Sequence, residues 1–151
     1  MNETDTGVDI AAVRLDGELP LPAYAKPGDA GLDLRASELV RLEPGERRLV
    51  PTGLAVAIPG GHAGFVLPRS GLAMQKGVTV LNAPGLIDSG YRGELKVLLI
   101  NHGSEPVTIA RGERIAQLVI QRVASATLVE VERLPVSARG PGGIGSTRAW
   151  G

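Results

Sequence analysis

Apolar residues fall along this chain in short runs and not in helical stripes. In Glu94-Leu-Lys-Val-Leu-Leu-Ile-Asn, the residues Leu95, Val97 and Leu99 share one face of a strand, while Lys96 shares the other with Leu98 and Ile100. Both faces are mostly apolar. The run Ile115 to Val123 behaves in the same way and is interrupted only by Gln117, Gln121 and Arg122. Strands that are apolar on both faces point to two packed sheets, or to a sheet face that meets another subunit. Gly and Pro, at 21 and 11 residues, cut the chain into short segments rich in Val, Ile and Leu. The pattern predicts strands over Asp9 to Leu15, Leu39 to Leu42, Arg47 to Val50, Leu54 to Ile58, Ala63 to Leu67, Val78 to Leu81, Glu94 to Asn101, Val107 to Ile109, Arg114 to Val123 and Thr127 to Arg133. One short helix is predicted, near Gly71 to Gln75. There is no internal repeat.

At 151 residues the chain has the size of one domain, and 43% apolar with 21% charged residues is an ordinary globular balance. The aromatics are only Tyr24, Phe65, Tyr91 and Trp150, so the core is aliphatic, which suits an all-β jelly-roll sandwich. The pattern stops at Ser137. The expected organisation is therefore a β-sandwich core over 1–136 and a flexible glycine-rich arm over 137–151.

Lys+Arg and Asp+Glu are equal at 16 each, which excludes a global field that draws the protein onto nucleic acid or an anionic membrane. An anionic ligand must be caught locally. No cysteine is present, so disulfides, thiolate nucleophiles and zinc-thiolate sites are excluded together, and His62 and His102 are too few for a histidine-based centre. The polar start Met1-Asn-Glu-Thr-Asp-Thr-Gly lacks the features of a secretory signal, and no apolar run approaches the roughly 20 residues that span a bilayer. A cytoplasmic protein is expected.

Several stretches carry candidate chemistry, each with a plainer alternative. Pro68-Arg-Ser-Gly-Leu-Ala leads from a strand into a helix: Arg69 can grip phosphate through two parallel hydrogen bonds and Ser70 can donate to it, or Ser70 simply caps the helix. Asn82 through Gly93 reads as a hairpin with Asp88 at its tip, where a carboxylate can deprotonate a water or close an ordinary Asx-turn. Tyr91 can pack against a sugar or fill a turn cluster. Asp33, between Leu32 and Leu34, is a hydrogen-bonded acid or a water-mediated metal contact. Gln117 needs a partner in backbone, another subunit or a ligand. Arg139-Gly-Pro-Gly-Gly-Ile-Gly-Ser-Thr has the composition of a phosphate loop and equally of a disordered terminus.

Taken in order, Ala30-Gly-Leu-Asp-Leu-Arg-Ala, Pro68-Arg-Ser-Gly-Leu-Ala, Asn82 through Gly93, Arg111-Gly-Glu-Arg-Ile-Ala-Gln-Leu and Arg139-Gly-Pro-Gly-Gly-Ile-Gly-Ser-Thr resemble the ordered motifs of the trimeric dUTPase family. The resemblance implies a jelly-roll-like β-clip sandwich, a homotrimer with swapped or crossing C-terminal arms, and sites that draw motifs from all three subunits. It implies a dUTP diphosphatase that turns dUTP into dUMP and pyrophosphate, limiting uracil in DNA and supplying dUMP for dTMP synthesis.

By the same resemblance Asp88 activates the water that attacks the α-phosphorus. A Mg²⁺ ion is carried by the phosphates and touched by Asp33 only through water. Arg69, Ser70, Gly71 and Gln117 serve the phosphates, and Asn82, Gly85, Leu86, Ile87 and the main chain at Lys96 line a uracil slot. Tyr91 lies under the deoxyribose, and Arg139 with Ile144, Gly145, Ser146 and Thr147 closes over the substrate. Ile144 departs from the aromatic or histidine usual there, and Arg148 from the usual glycine, with Trp150 close behind as a candidate stacking substitute. The related dCTP deaminases rely on a glutamate at the base, and no matching glutamate is present.

Overall fold

The structure is a computed structural model that describes residues 7–144. Its elements are β1 (Ala11–Arg14), β2 (Leu32–Arg35), β3 (Val40–Leu42), β4 (Arg47–Ala57), β5 (His62–Pro68), α1 (Ser70–Lys76), β6 (Val78–Val80), β7 (Gly85–Ile87), β8 (Glu94–Asn101), β9 (Val107–Ile109) and β10 (Arg114–Arg122). Two four-stranded antiparallel sheets, ordered β1-β4-β8-β6 and β2-β10-β5-β7, enclose the core, and β3 pairs with β9 beside them. This is the all-β, two-sheet architecture that the doubly apolar strands predict. Among the described residues, no helix is long and apolar enough to cross a membrane.

Alternation decides which side of each strand is buried. On β8, Leu95, Val97 and Leu99 are sealed inside, whereas Lys96, Leu98 and Ile100 face the less covered side. Leu95, Val97 and Leu99 join Leu34, Val50, Ile115 and Leu118 in one aliphatic cluster. Full burial of a side chain of this size contributes about 1.5–3 kcal/mol. Within one chain the second sheet therefore covers a single face of β8. On β10 a register shift between Arg114 and Ala116 lets the consecutive residues Ile115 and Ala116 both be buried, after which Gln117 turns to the more open side.

Two departures from the expected strands follow from pairing. Arg47 to Val50 and Leu54 to Ile58 belong to one strand, β4, interrupted by a register shift between Pro51 and Ala55. Gly53 sits there at φ +68°, a conformation glycine adopts without strain. The bulge is pinned from β8: the Gly53 N–H donates to Glu94 Oε1 at 2.9 Å and Thr52 Oγ1 donates to the Leu95 carbonyl at 2.6 Å. Thr127 to Arg133, expected as a strand, is irregular and has no ladder partner among the described residues; Leu128 is 96% exposed. Its β-forming composition lacks a neighbouring strand to pair with.

The helix is anchored at its C-terminal end. Gly77 closes it at φ +68°, and a Cβ there would lie 2.6 Å from the Gly103 nitrogen. The fully buried Asn101 shapes the facing turn: its Nδ2 donates to the carbonyls of Leu42 (3.1 Å) and Glu105 (2.8 Å), and its Oδ1 accepts from the Gly103 N–H at 2.8 Å. The His102 N–H then donates to the Gly77 carbonyl at 2.8 Å. This fixes the base of α1, whose other end carries Arg69 and Ser70.

Candidate active site

Strand β5 delivers the chain at Pro68, and Arg69 turns it into α1. Arg69 is the N-cap, in an extended conformation, and no side chain caps the helix, so the capping alternative for Ser70 is not realised. Ser70 and Gly71 are exposed. Arg69 Nη1 donates to the Arg114 carbonyl at 3.1 Å, and its Nε lies 3.5 Å from Asp33 Oδ1. Arg114 Nη1 donates to Asp33 Oδ2 at 3.2 Å. Gln117 stands across the ladder from Asp33 on one side and from Leu67 on the other. Its Nε2 donates to the Pro68 carbonyl at 2.9 Å, and its Oε1 lies over Gly31, 2.5 Å from where a Cβ would be. A backbone carbonyl is thus the partner that Gln117 required.

Arg69, Gly71 and Arg114 border a cavity of about 640 Å³ whose lining also includes Arg35, Lys76 and Arg111 against the single carboxylate of Glu113. Glu113 Oε2 is already accepting the Ala110 N–H at 2.7 Å. The excess positive charge suits a polyanion. Arg111 has its own acids, Asp16 at 2.6 Å and Glu18 at 3.1 Å, and its hydrogen bond holds the Asp16 carboxyl below its ordinary value. Arg35 and Arg114 escape notice in the sequence because each looks like an ordinary strand charge. Only the β2–β10 register sets them opposite one another.

Asp88 lies elsewhere. Strand β7 pairs with β5, and β8 belongs to the other sheet, so Asn82 through Gly93 does not fold back on itself as a hairpin but crosses between the sheets. Asp88 follows β7 in the crossing, exposed, with its carbonyl accepting the Tyr91 N–H at 3.1 Å. A cavity of about 290 Å³ opens there, lined by Leu49, Leu86, Ile87, Asp88, Tyr91, Glu94, Leu95 and Lys96. Tyr91, 43% exposed, donates its hydroxyl to the Glu94 carbonyl at 2.8 Å and lays its ring over Gly93. Gly85 is buried against Val66, and the Asn82 amide stands beside it.

The two cavities share no residue. Ile87 pairs with Gly64 near the start of β5, whereas Arg69 follows its far end. Along a strand the five residues from Gly64 to Arg69 span about 16 Å. One chain thus groups Asp33, Arg69 and Gln117 in one place, and Gly85, Leu86, Ile87, Asp88, Tyr91 and Lys96 in another. Arg139, whose Nε donates to the Gly142 carbonyl at 3.3 Å, and the fully exposed Ile144 line neither cavity. Gly145, Ser146 and Thr147, with Arg148 and Trp150, lie outside the described residues.

The dUTPase family pattern matches residues 17–148. A deoxyuridine 5′-triphosphate nucleotidohydrolase of Anaeromyxobacter sp. (strain Fw109-5) is 66% identical over 129 residues, covering 85% of this chain and 88% of that protein. One from Thermobifida fusca (strain YX) is 62% identical over 135 residues, covering 89% of this chain and 75% of that protein. Among solved structures, the Staphylococcus bacteriophage 80alpha dUTPase with dUPNHPP superposes with a TM-score of 0.86 at 30% identity, covering 92% of this chain and 98% of that one. A mutant dUTPase from phage phi11 of S. aureus, described with a structural Mg(II) ion, does so with a TM-score of 0.77 at 27% identity, over 83% and 98%. With the motif order, the two-sheet fold and a family match across most of its length, the chain belongs to the dUTPase family.

Proposed function

We propose that this protein hydrolyses dUTP to dUMP and pyrophosphate at sites composed between the subunits of a homotrimer. The observation that carries this reading is the division between the cavities: one is lined by an excess of positive charge, the other holds Asp88 among Leu86, Ile87 and Tyr91. A carboxylate about 16 Å along the chain's own strand cannot reach a phosphorus held by its own Arg69. Bringing the cationic cavity of one subunit against the slot of another removes the difficulty, and closed cyclic packing also covers strand faces that one chain leaves open.

In the composite site Arg69, Ser70 and Gly71 bind the phosphate chain, and Gln117 offers Oε1 to the nucleophilic water while its amide stays on the Pro68 carbonyl. Asp88 of a neighbouring subunit takes the proton from that water as it attacks the α-phosphorus in line. Asn82, Gly85, Leu86, Ile87 and the Lys96 main chain hold uracil, rejecting an amino group at the pyrimidine 4-position by meeting it with a donor. The Tyr91 ring supports the deoxyribose and leaves no room for a 2′-hydroxyl.

Among the described residues no cluster of three His, Cys, Asp or Glu side chains can cage a metal. Mg²⁺, a hard cation that keeps several waters, would be held by the phosphates of the substrate. Asp33, the acid beside the cationic cavity, is placed to touch such a water. When bound, the ion neutralises charge developing on the departing pyrophosphate.

After β10 the chain runs on with exposed apolar residues, Leu128 and Val136 among them, which a neighbouring subunit can cover. This supports an arm that crosses between subunits and brings Arg139, Ile144, Gly145, Ser146 and Thr147 over a bound triphosphate. A core over 1–136 and an arm over 137–151 remain the proposed division, and the lack of cysteine accords with a cytoplasmic address.

The test is phosphorus NMR of the products formed from dUTP, UTP, dCTP and dTTP with Mg²⁺. Pyrophosphate and dUMP from dUTP alone support the reading. Orthophosphate from dUTP, or pyrophosphate from dCTP as readily as from dUTP, overturns it.

A further inference from the structure

We infer that Asp33 is a placeholder for substrate: before the triphosphate arrives its carboxylate holds Arg69 and Arg114, and both guanidiniums transfer to phosphate oxygens on binding, which makes Arg114 a phosphate-binding residue. This rests on the reading of the cationic cavity as the triphosphate site.

Positive charge is crowded in this corner of the fold. Arg35 and Arg114 stand directly opposite each other in the β2–β10 ladder, an arrangement that repels. Arg69 reaches into the same corner, donating to the Arg114 carbonyl. Two neighbouring arginines have partners of their own. Arg35 Nη1 donates to the Gly112 carbonyl at 2.8 Å, and Arg111 is held by Asp16 and Glu18. Arg69 and Arg114 instead share one carboxylate, each taking a different oxygen of Asp33.

The geometry of that sharing is loose. The two contacts measure 3.5 and 3.2 Å, against 2.6 Å for Arg111 with Asp16. The side chains are 31% exposed for Arg69 and 44% for Arg114, so water screens both pairs. A phosphate offers each guanidinium shorter, paired hydrogen bonds and more negative charge than a divided carboxylate can. The exchange also sets an order of events. The Asp33 carboxylate, 21% exposed, gives up both arginine contacts as the phosphates take the guanidiniums, and its oxygens are then left to water alone.

Titration calorimetry with non-hydrolysable α,β-imido-dUTP in EDTA separates this role from metal support. Asp33→Asn, which keeps the shape of the side chain but loses its charge, binds about fivefold tighter than wild type without metal, because two weak pairs need not be broken. With Mg²⁺ present the gain shrinks or reverses. Arg114→Gln binds about tenfold more weakly and cancels the gain in the double variant. Thermal melts verify folding, and Asp33→Ser provides a second neutral variant. Equal or weaker metal-free binding by the neutral variants, or wild-type affinity in Arg114→Gln, overturns the inference. A wild type that binds no imido-dUTP sinks the triphosphate-site reading itself, whereas a wild type that binds and hydrolyses dUTP, with a neutral variant of unaltered metal-free affinity, sinks only the placeholder.

Discussion

Gly93→Ala is a sharp probe of sugar selection because its effect must pass through Tyr91. Gly93 is not among the glycines with positive φ, so alanine brings no backbone strain there. The added Cβ would lie 2.5 Å from the Tyr91 hydroxyl oxygen, 2.7 Å from Cζ and 3.1 Å from Cε2, where ordinary contact begins at 3.4 Å. The ring must retreat by roughly 1 Å, and a misplacement of that size in a positioning element can cost on the order of 10²-fold in rate. The hydrogen bond to the Glu94 carbonyl is lost as well, for about 0.5–1.5 kcal/mol. If the ring is the floor beneath the deoxyribose, lowering it harms dUTP and makes room for a 2′-hydroxyl. The expected result is a fall of about 10- to 100-fold in kcat/KM for dUTP with a smaller fall for UTP, so that the ratio between them narrows. Tyr91→Phe, which keeps the ring, retains most of the ratio. Pyrophosphate release with each nucleotide gives the numbers, and thermal melts show whether the fold survives. A Gly93→Ala enzyme with the wild-type dUTP/UTP ratio refutes the reasoning.

Other consequences are equally direct. Asp88→Asn should lower kcat by about 10²- to 10⁴-fold while leaving imido-dUTP affinity near wild type, since only the proton acceptor is removed; a large affinity loss with kcat preserved contradicts this. Gly31→Ala places a methyl 2.5 Å from Gln117 Oε1 and should disturb its bond to Pro68, costing about 1 kcal/mol in denaturant unfolding as well as activity. Asn101→Ala strips three hydrogen bonds from the turn that holds α1, and a loss of about 2–4 kcal/mol in the same assay is expected. The Asp16 carboxyl, depressed by its hydrogen bond from Arg111, stabilises the fold above its unfolded value and loses that contribution as pH falls through the lowered folded value. Arg111→Ala should therefore move the Asp16 titration upward in carboxyl NMR, and an unmoved curve would show that another group sets it.

What the chain reveals on its own is governed by how local each feature is. The bounds of β8 and β9 can be read to the residue, because alternation and flanking turns mark them within the segment. Thr127 to Arg133 has the same local composition and no partner strand, since pairing is decided outside the segment. Ser89 and Gly90 do form a turn, but Gly85 already belongs to β7, and nothing local says that β7 joins β5 while β8 joins the other sheet. The site divides in the same way. Asp33, Arg69, Gln117 and Asp88 stand in recognisable motifs, whereas the Arg35–Arg114 opposition and the separation of Asp88 from Arg69 exist only in the register.

That separation makes the composite site the central claim, and subunit complementation tests it most directly. Arg69→Gln and Asp88→Asn chains, each inactive alone, are unfolded together at equal amounts, refolded and assayed for dUTP cleavage. If phosphate grip and water activation come from different subunits, about a quarter of the sites in random mixed trimers combine an intact Arg69 with an intact Asp88, and activity returns in that proportion. A mixture as inactive as its parents contradicts the account.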